Sequence, residues 1–430
     1  MSRVYDMEDK LRALYVKDHR LLSLHIDLAL KCDLDCCHCY LDDKRTREMS
    51  TAQVVTLFDQ AKRMGVLKLA LGGGELFLRR DVPELLEEAR RRRFAIVLKT
   101  HGGTVSDRIA DAVRDAGVVR VDVSVYALDS SIHDAITRRE GSLSRTLRGI
   151  ERLTERGVRV RVNCSVMHRN RNHYKDLYRE MVRRGVECQL DGSIHGTHGG
   201  TMETAALNLT VAEKADLERF KHDEMKDSPS LGGADPDFHI CWAGKISGHV
   251  APDGSLTPCV AWPMPVGNVL DTPLDLLWKH APLLQEIRGV RRKDRGCGGC
   301  SFEHQCNFCP GKAYVENRGE WLAPAPLQCA DTTGKVWGIL AFNASQVHPE
   351  RRVEFPILKP GALHAGPARA KGQPRPKLTP EMVERVPREQ TGRPRSRLFR
   401  ILSDTEVQGA RGDGSAGTME HVAPVPRAAG

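Results

Sequence analysis

The sequence lacks a run of about 18 consecutive apolar residues, which a membrane-spanning helix would need. Its first 20 residues, MSRVYDMEDKLRALYVKDHR, contain no apolar core of the secretory type. Thirteen cysteines in 430 residues are too few for a secreted disulfide scaffold, and they cluster at spacings typical of metal ligands. We therefore expect a cytoplasmic protein, in a reducing compartment, with no membrane partner.

The first 350 residues carry almost no net charge. The whole chain has a net charge of +9, but residues 351–430 contain 15 Lys and Arg against 8 Asp and Glu and supply +7 of it. The remaining charge is too small to indicate binding to nucleic acid. Residues 350–430 also hold 10 of the 23 prolines and lack apolar periodicity. This composition predicts a disordered, basic Pro/Arg-rich tail, with partner binding as the alternative.

Strand-like and helix-like segments alternate six times between residues 21 and 194. The predicted strands cover 21–29, 66–71, 94–100, 118–126, 158–166 and 186–194. Six such units predict a parallel α/β sheet with helices outside it and strands that are apolar on both faces. They are too few for an eight-stranded barrel, so we expect an open, partial barrel. Two strand cysteines, Cys164 and Cys188, are interpreted as buried apolar residues.

Three cysteines follow the first predicted strand at a metal-ligand spacing. Cys32, Cys36 and Cys39 form a C-x3-C-x2-C motif within KCDLDCCHCY. Thiolates select zinc or iron–sulfur clusters over hard cations. Three thiolates would leave one iron of a four-iron cluster open to a substrate or cofactor. A zinc knuckle or a buried thiol cluster is the alternative interpretation of this motif.

The motif and its position after the first strand resemble the radical S-adenosylmethionine (radical SAM) superfamily. The resemblance implies that the fourth iron binds the amino and carboxylate groups of SAM. It also implies that His38 occupies the position of an aromatic residue near the adenine. Gly73, Gly74 and Glu75, after the second strand, match the Gly-Gly-Glu motif of the family. In that motif the glycines let a backbone carbonyl approach the SAM amino group, because no Cβ intervenes.

Several other residues match the family pattern less closely. Ser124, near the end of the fourth strand, corresponds to a serine that contacts the SAM ribose or carboxylate, although a small structural residue is the alternative. Asn163 on the fifth strand is a candidate contact for SAM or substrate, or a hydrogen-bonded turn residue. Arg138 and Arg139 lie near, but offset from, the arginine that pairs with the SAM carboxylate. Cys37 does not fit the motif and is interpreted as a bystander.

A second set of cysteines begins after residue 240. Its members are Cys241, Cys259, Cys297, Cys300, Cys306, Cys309 and Cys329. Repeated C-x2-C pairs indicate metal binding, and the spacing alone also fits two zinc sites. The region resembles the SPASM extension that follows many radical SAM cores: Gly254 precedes Cys259 at the expected interval, whereas Cys309 comes one residue early.

The SPASM resemblance implies two auxiliary 4Fe–4S clusters. One would be held by Cys297, Cys300, Cys306 and Cys329, and the other by Cys241, Cys259 and Cys309. The fourth ligand of the second cluster has no assignment from the sequence.

The sequence thus predicts four segments and an α/β fold class. Residues 1–20 form a lead-in with one or two helical turns, and 21–230 form a partial (β/α)6 TIM-like barrel of the radical SAM type. A Gly/Pro/Ser/Asp-rich hinge at 227–236 precedes a small cysteine-rich SPASM domain over 237–345. The tail over 350–430 completes the chain.

The resemblance implies an enzyme that uses 4Fe–4S clusters and SAM. An external electron donor of flavodoxin or ferredoxin type would reduce the first cluster, and cleavage of SAM would yield a 5′-deoxyadenosyl radical that abstracts hydrogen from the substrate. SPASM proteins frequently act on ribosomal peptides or protein side chains, so we expect peptide or protein maturation, with a separate leader-binding chaperone as a candidate partner. The first alternative is radical modification of a small molecule or cofactor precursor. The second, from another class, is a non-catalytic iron–sulfur carrier or a zinc-stabilised binding module, and the Gly-Gly-Glu motif argues against it.

Overall fold

The structure is a computed structural model that describes most of the chain. The described residues are 2–42, 47–226, 237–297, 300, 302, 305–347, 357–358 and 383–384. The predicted hinge at 227–236 lies outside them, and so does the predicted tail over 350–430 apart from two short strands.

Six parallel strands form the larger part of one sheet. They are β1 (Ser23–Ala29), β2 (Lys68–Gly73), β3 (Ala95–Thr100), β4 (Arg120–Ser124), β5 (Val160–Ser165) and β6 (Glu187–Asp191). Each strand pairs in parallel with the next one along the chain. The predicted alternation of six strands with helices is therefore confirmed.

Helices connect these strands and cover one face of the sheet. Those up to β6 are α1 (Ser2–Lys17), α2 (Thr51–Arg63), α3 (Val82–Arg91), α4 (Asp107–Asp115), α5 (Ser130–Thr137), α6 (Ser142–Glu155) and α7 (Tyr174–Arg183). Helix α1 has 16 residues, more than the one or two turns expected for the lead-in. Helix α5 was not expected. Helix α2 begins with the predicted capping box of Ser50 and Gln53, which satisfies amide groups that the first turn leaves unpaired.

The two faces of the sheet differ in polarity. Alternate residues such as Leu24, Ile26 and Leu28 are fully buried in the main core with the helices. The residues between them point to the opposite, inner face, because side chains alternate along a strand. That inner face carries polar and charged residues: His25, Asp27, Lys99, Arg120, Asp122, Ser124, Arg161, Asn163, Glu187 and Gln189. The expectation of strands that are apolar on both faces is therefore wrong for the inner face.

The chain that follows α8 (Val211–Asp223) extends the same sheet. Strand β7 (Ser247–Val250) pairs in parallel with β1, and β8 (Ser255–Thr257) and β9 (Gly267–Asn268) continue in antiparallel pairing. The sheet order is β6-β5-β4-β3-β2-β1-β7-β8-β9. The segment predicted as a second domain thus contributes strands to the sheet of the first.

The described residues after β7 contain four further α-helices. They are α9 (Leu274–His280), α10 (Pro282–Gly289), α11 (Pro310–Glu316) and α12 (Pro326–Val347). Helix α12 packs closely on α8: a Cβ added at Gly338 would lie 2.6 Å from the Ala215 carbonyl oxygen. The two short strands β10 (Ile357–Leu358) and β11 (Val383–Glu384) pair antiparallel. Within the described residues, none of the helices combines the length and the apolar character needed to cross a membrane.

Candidate functional site

The loop that follows β1 carries the three cysteines of the first motif. Cys32, Cys36 and Cys39 are all partly buried, and no disulfide joins any two of the described cysteines. The Cys39 amide donates to the Cys36 carbonyl at 3.0 Å, which closes a tight turn between the two thiols. The Leu34 amide lies 3.4 Å from the Cys32 sulfur. Hydrogen bonds from backbone amides to sulfur are typical of cysteines that ligate a metal, because they orient the ligand.

The Gly-Gly-Glu segment lies directly against the start of this loop. The Gly74 amide donates to the Ala29 carbonyl at 2.7 Å, and the Glu75 amide donates to the Lys31 carbonyl at 2.8 Å. A Cβ at Gly73 would lie only 2.1 Å from the Ala29 carbonyl oxygen. A Cβ at Gly74 would lie 2.5 Å from the Lys31 carbonyl oxygen. Both glycines are therefore required by backbone contact with the end of β1, whatever else they bind.

Glu75 fixes this segment to the loop after β3. Its carboxylate is fully buried and accepts hydrogen bonds from the Thr100 hydroxyl at 2.8 Å, the Thr104 hydroxyl at 3.0 Å and the His101 amide at 3.0 Å. It also accepts from the Phe77 amide at 3.2 Å. Glu75 thus acts here as a support that aligns two loops.

His101 was not identified from the sequence. Its imidazole lies beside the Cys32 thiol and the Asp33 carboxylate of the cysteine loop. Its Nδ1 lies 3.0 Å from the Gly103 amide, and its Nε2 lies 2.8 Å from an Asp33 oxygen and 3.2 Å from a Glu75 oxygen. Burial lowers the pKa of His101, but Asp33, Cys32 and Glu75 outweigh burial and raise it to about 10. The Cys32 sulfur, one Asp33 oxygen and a His101 ring nitrogen lie within 4.8 Å of one another. The position of His101 directly after β3, at the carboxyl end of a parallel strand, was the signal from which it could have been identified as a site residue.

Ser124 and Asn163 are neighbours on the inner face of the sheet. They are partners in the parallel register of β4 and β5, at the carboxyl ends of both strands. The Asn163 Oδ1 atom is buried and has no hydrogen-bond partner. Such an atom is costly to leave unpaired, so it points to a ligand at this place. The Ser124 hydroxyl shares a hydrogen bond with Tyr126.

Tyr126 is a second residue that the sequence did not indicate. Its ring packs edge-on against His38 with ring centroids 4.8 Å apart. Burial, together with the charges of Cys36 and other nearby cysteines, raises the pKa of Tyr126 well above its usual value. Burial also lowers the pKa of His38 to about 4, so that ring is neutral. Tyr126 and His38 therefore form an uncharged aromatic wall beside the cysteine loop.

The remaining candidates of the first region lie at the edge of this site. Arg138 pairs with Asp35 at 3.1 Å on the surface, and its backbone is left-handed with a φ of 54°. Cys37 packs against an apolar cluster that contains Tyr126. Cys164 is buried at 1% exposure in the main core, which confirms the interpretation as an apolar residue.

The structure brings Cys241, Cys259 and Cys309 close together. Burial raises the pKa of Cys259 to about 11, and the charges of Cys241 and Cys309 add to this effect. Burial likewise raises the pKa of Cys241, again with a contribution from Cys309. Buried thiols of this kind ionise only when a cation lies beside them. The mutual influence of their charges supports the set that the sequence predicts for one auxiliary cluster, and the metal centre itself stays a prediction.

Of the other four cysteines, Cys329 lies near the start of α12 and Cys306 contacts the same helix through Thr332. Cys297 and Cys306 both pack against the apolar cluster of Phe308, Ala313 and Ala325. Burial raises the pKa of Cys306, the charge of Cys300 contributes to the rise, and the Thr332 hydroxyl lies 3.4 Å from the Cys306 sulfur. Thr332 follows Cys329 by less than one turn of α12. The arrangement is compatible with one four-thiolate site.

His198 connects the first cysteine loop with the second set. Its ring stacks on Tyr40 with centroids 4.8 Å apart, and its amide donates to the Tyr40 carbonyl at 2.9 Å. Its Nε2 atom lies 2.8 Å from the Val260 carbonyl oxygen. Tyr40 follows Cys39 and Val260 follows Cys259 in the chain. One side chain thus joins the loops of two candidate metal centres.

Two family models match the chain. The model of the radical SAM superfamily matches residues 27–181, and the SPASM model, described as an iron–sulfur cluster-binding domain, matches residues 241–307. The first match contains the cysteine loop, the Gly-Gly-Glu segment, Ser124 and Asn163. The second contains five of the seven later cysteines, from Cys241 to Cys306, and ends before Cys309 and Cys329.

Two curated relatives and one solved structure illustrate the similarity. The AdoMet-dependent heme synthase of Oleidesulfovibrio alaskensis is 23% identical over 332 residues, which cover 70% of this chain and 85% of that protein. The mycofactocin maturase MftC of Mycolicibacterium smegmatis is 24% identical over 348 residues, covering 76% and 86%. The crystal structure of Streptococcus suis SuiB bound to its precursor peptide SuiA has a TM-score of 0.59 at 18% identity and covers 76% of this chain and 81% of that one. The predicted fold class is confirmed.

Proposed function

The chain belongs to the radical SAM superfamily and is an enzyme with a C-terminal SPASM domain, and on that premise we propose that it modifies a ribosomal peptide or a protein side chain. The observation that supports this proposal most is the shared fold with SuiB, whose structure contains a precursor peptide. The similarity to mycofactocin maturase supports it independently. The cofactors are SAM and 4Fe–4S clusters.

The proposed SAM cluster site uses Cys32, Cys36 and Cys39. These cysteines would hold the cluster, which with SAM bound would supply the radical chemistry that removes a hydrogen atom from the substrate. The protein must hold the cysteine loop rigid, and Glu75 does so by joining the Gly-Gly-Glu segment to the loop after β3.

The inner face of the sheet orients SAM and substrate in this proposal. The unpartnered Asn163 Oδ1 offers an acceptor, and the Ser124 hydroxyl beside it offers a donor or an acceptor. The Tyr126 and His38 rings cover one side of the cysteine loop and exclude water from it. Exclusion of water protects a reactive radical from side reactions.

The proposed auxiliary cluster sites use the later cysteines in the two sets described above. His198 links the first loop to the set of Cys241, Cys259 and Cys309, because it contacts both Tyr40 and Val260. An auxiliary centre at this place could accept an electron from the substrate. An external flavodoxin-type or ferredoxin-type donor and a separate leader-binding chaperone complete the proposal as partners.

A second candidate function is radical modification of a small molecule or cofactor precursor. The similarity to AdoMet-dependent heme synthases favours it, because those relatives match over 70% of this chain. The fold by itself does not discriminate between the two substrate classes.

Label transfer can separate the two classes. The reconstituted enzyme, with SAM and dithionite, is incubated with extract from a fully deuterated culture of the source organism. A peptide or protein substrate is supported if deuterium appears in 5′-deoxyadenosine with the untreated extract but not with an extract that was first treated with protease. Transfer that survives protease contradicts it and favours the small-molecule candidate. A Cys32→Ala variant is the control and should give no label transfer.

A further inference from the structure

Charged side chains form a row across the inner face of the sheet. Lys99 on β3 is the register partner of Asp122 on β4, and Asp122 is the register partner of Arg161 on β5. Arg120 lies two residues before Asp122 and therefore on the same face. A parallel sheet that is filled only by its own side chains is normally apolar on both faces. This row therefore needs a separate explanation.

The four groups carry more positive than negative charge. Arg120 Nε lies 2.7 Å from one Asp122 oxygen, and an Arg161 terminal nitrogen lies 2.9 Å from the other. The Lys99 ammonium is 3.7 Å from Asp122, too far for a hydrogen bond. One carboxylate thus faces three cations. The cluster keeps an excess of two positive charges, which attracts an anion.

The cluster also has an unpaired hydrogen-bond donor and is accessible from solvent. The Arg161 Nε atom is buried and has no hydrogen-bond partner. Leaving such a donor unpaired is costly, so a ligand that accepts from it is favoured. The Lys99 side chain is 44% exposed, whereas Asp122 is 2% exposed. A small group can therefore reach the cations from solvent without displacing the sheet.

We propose that Lys99, Arg120 and Arg161 bind an anionic group of the substrate, a carboxylate or a phosphate, on the inner face of the sheet. A guanidinium presents paired N–H donors that match the oxygens of both groups. The identification of this anion as part of the substrate rests on the proposed function. The proposal that these residues bind an anion does not depend on the proposed function.

The position of the cluster gives it a role in orientation. Arg161 precedes Asn163 by two residues on the same face of β5, which corresponds to about 7 Å along a strand. Ser124 and Asn163 lie at the carboxyl ends of their strands, where the proposed SAM site is located. A substrate anchored at Arg161 therefore extends toward that site, and the cluster selects substrates whose reacting carbon lies a short, fixed distance from an anion.

Equilibrium dialysis with labelled succinate and, separately, labelled inorganic phosphate tests the proposal. The full-length reconstituted protein is used at constant ionic strength, with neither SAM nor reductant. We expect Arg161→Gln and Lys99→Gln to weaken binding, the former at least about tenfold. Because Lys99 is partly exposed, its variant can fold even if the Arg161 variant does not. Arg183→Gln, which removes an exposed arginine on α7, is the matched control and should bind like the wild type.

Each outcome has a defined meaning. Retention of succinate alone identifies a carboxylate site, retention of phosphate alone a phosphate site, and retention of both a general oxyanion site. If the wild type retains neither probe, or all four proteins retain them equally, the cations serve only to hold the strands together and the proposal is overturned. Because dialysis involves no turnover, this failure is distinct from a failure of label transfer to 5′-deoxyadenosine.

Discussion

The Glu75 carboxylate shows how one buried side chain can hold a cofactor loop in place. It receives hydrogen bonds from the side chains of Thr100 and Thr104 and from the amides of Phe77 and His101. These donors belong to the segments after β2 and β3. Loss of one carboxylate oxygen must therefore leave donors of at least one segment without an acceptor.

We expect Glu75→Gln to lower the free energy of unfolding by about 1–3 kcal/mol, the cost of a buried donor without a partner. The reason is that the new amide nitrogen faces N–H or O–H donors on either side. Urea unfolding measures the change. Glu84→Gln, on the exposed side of α3, is the control and should stay within about 0.5 kcal/mol of the wild type. Equal stability of the two variants would contradict this account of Glu75.

Glu316 differs from Glu75, because its Oε1 atom is buried without a hydrogen-bond partner. Burial raises the pKa of Glu316 to about 7 from 4.5, although the Leu327 amide at 2.9 Å favours the carboxylate. The folded state therefore holds a proton that the unfolded chain releases at a lower pH. A raised pKa means that this contribution to stability is present below about pH 4.5 and lost as the pH rises through 7.

We expect the wild type to lose about 2 kcal/mol of stability relative to Glu316→Gln between about pH 5.5 and pH 8, because one pKa unit corresponds to about 1.4 kcal/mol. The glutamine variant is neutral throughout and serves as the reference. Urea unfolding at both pH values measures the difference. Glu320→Gln, an exposed site in the next turn, should follow the wild type. Parallel pH profiles for wild type and Glu316→Gln would show that Glu316 is not protonated in the fold.

At the scale of elements, the start of α11 fixes the distance between two cysteine loops. Gly311 lies two residues after Cys309, and a Cβ on it would come within 2.2 Å of the Ala261 carbonyl oxygen. Cys259 lies two residues before Ala261. The close approach of α11 to the turn at Cys259 therefore depends on the missing side chain at Gly311.

We expect Gly311→Ala to push α11 away from this turn and to lose one auxiliary cluster, about 4 irons per chain, while SAM cleavage at the first cluster persists. Iron analysis and the yield of 5′-deoxyadenosine measure these effects. The control is Gly289→Ala at the end of α10, where no atom lies within 4 Å of an added Cβ. A full iron content in Gly311→Ala would argue against the assignment of Cys309 to this cluster.

The sequence predicted elements best where the signal is local. The six strands and the capping box of Ser50 and Gln53 follow from patterns of a few neighbouring residues, and the structure contains them. Strand β7 was missed because it has four residues and its partner, β1, lies more than 200 positions away. The polar inner face was missed because the apolar rule for parallel sheets was applied to both faces, whereas charged residues such as Asp122 and Arg161 lie on the inner one.

At the scale of the whole molecule, a buried ion cluster joins the SAM-binding part of the chain to the cysteine-rich part. Asp331 on α12 pairs with Lys214 on α8 and, at 2.8 Å, with Lys312 on α11. The Ser193 hydroxyl after β6 also donates to Asp331 at 2.6 Å. The three charged side chains are at most 16% exposed. Removing the shared carboxylate would leave two buried ammonium groups without a counter-charge.

We expect Asp331→Asn to lower the free energy of unfolding by about 3–5 kcal/mol, as for other buried ion pairs that lose one partner. Urea unfolding measures the loss, and limited proteolysis should show earlier cleavage within α12. Asp271→Asn, at an exposed position before α9, is the control and should change neither readout. Wild-type behaviour of Asp331→Asn would mean that the two parts are held together by other contacts.

The candidate site was predictable only in part, because some of its residues are close in sequence and others come together only in the fold. The spacing of Cys32, Cys36 and Cys39 is visible because these ligands are close in sequence. Tyr126 follows β4 and His101 follows β3. The position of His101 directly after a strand was a signal for that residue alone, and no local pattern indicates that both residues approach the cysteine loop. The partnership of Ser124 and Asn163 follows from strand register, which the sequence does not specify.

The central claim is a SAM-cleaving enzyme with one SAM-binding and two auxiliary clusters. Its most direct test is iron and sulfide analysis of anaerobically reconstituted protein, with 5′-deoxyadenosine measured on the same sample after addition of SAM and dithionite. We expect about 12 irons per chain together with SAM cleavage, and Cys32→Ala should lose about 4 irons and all cleavage. A protein that contains zinc in place of iron and leaves SAM intact would contradict the claim.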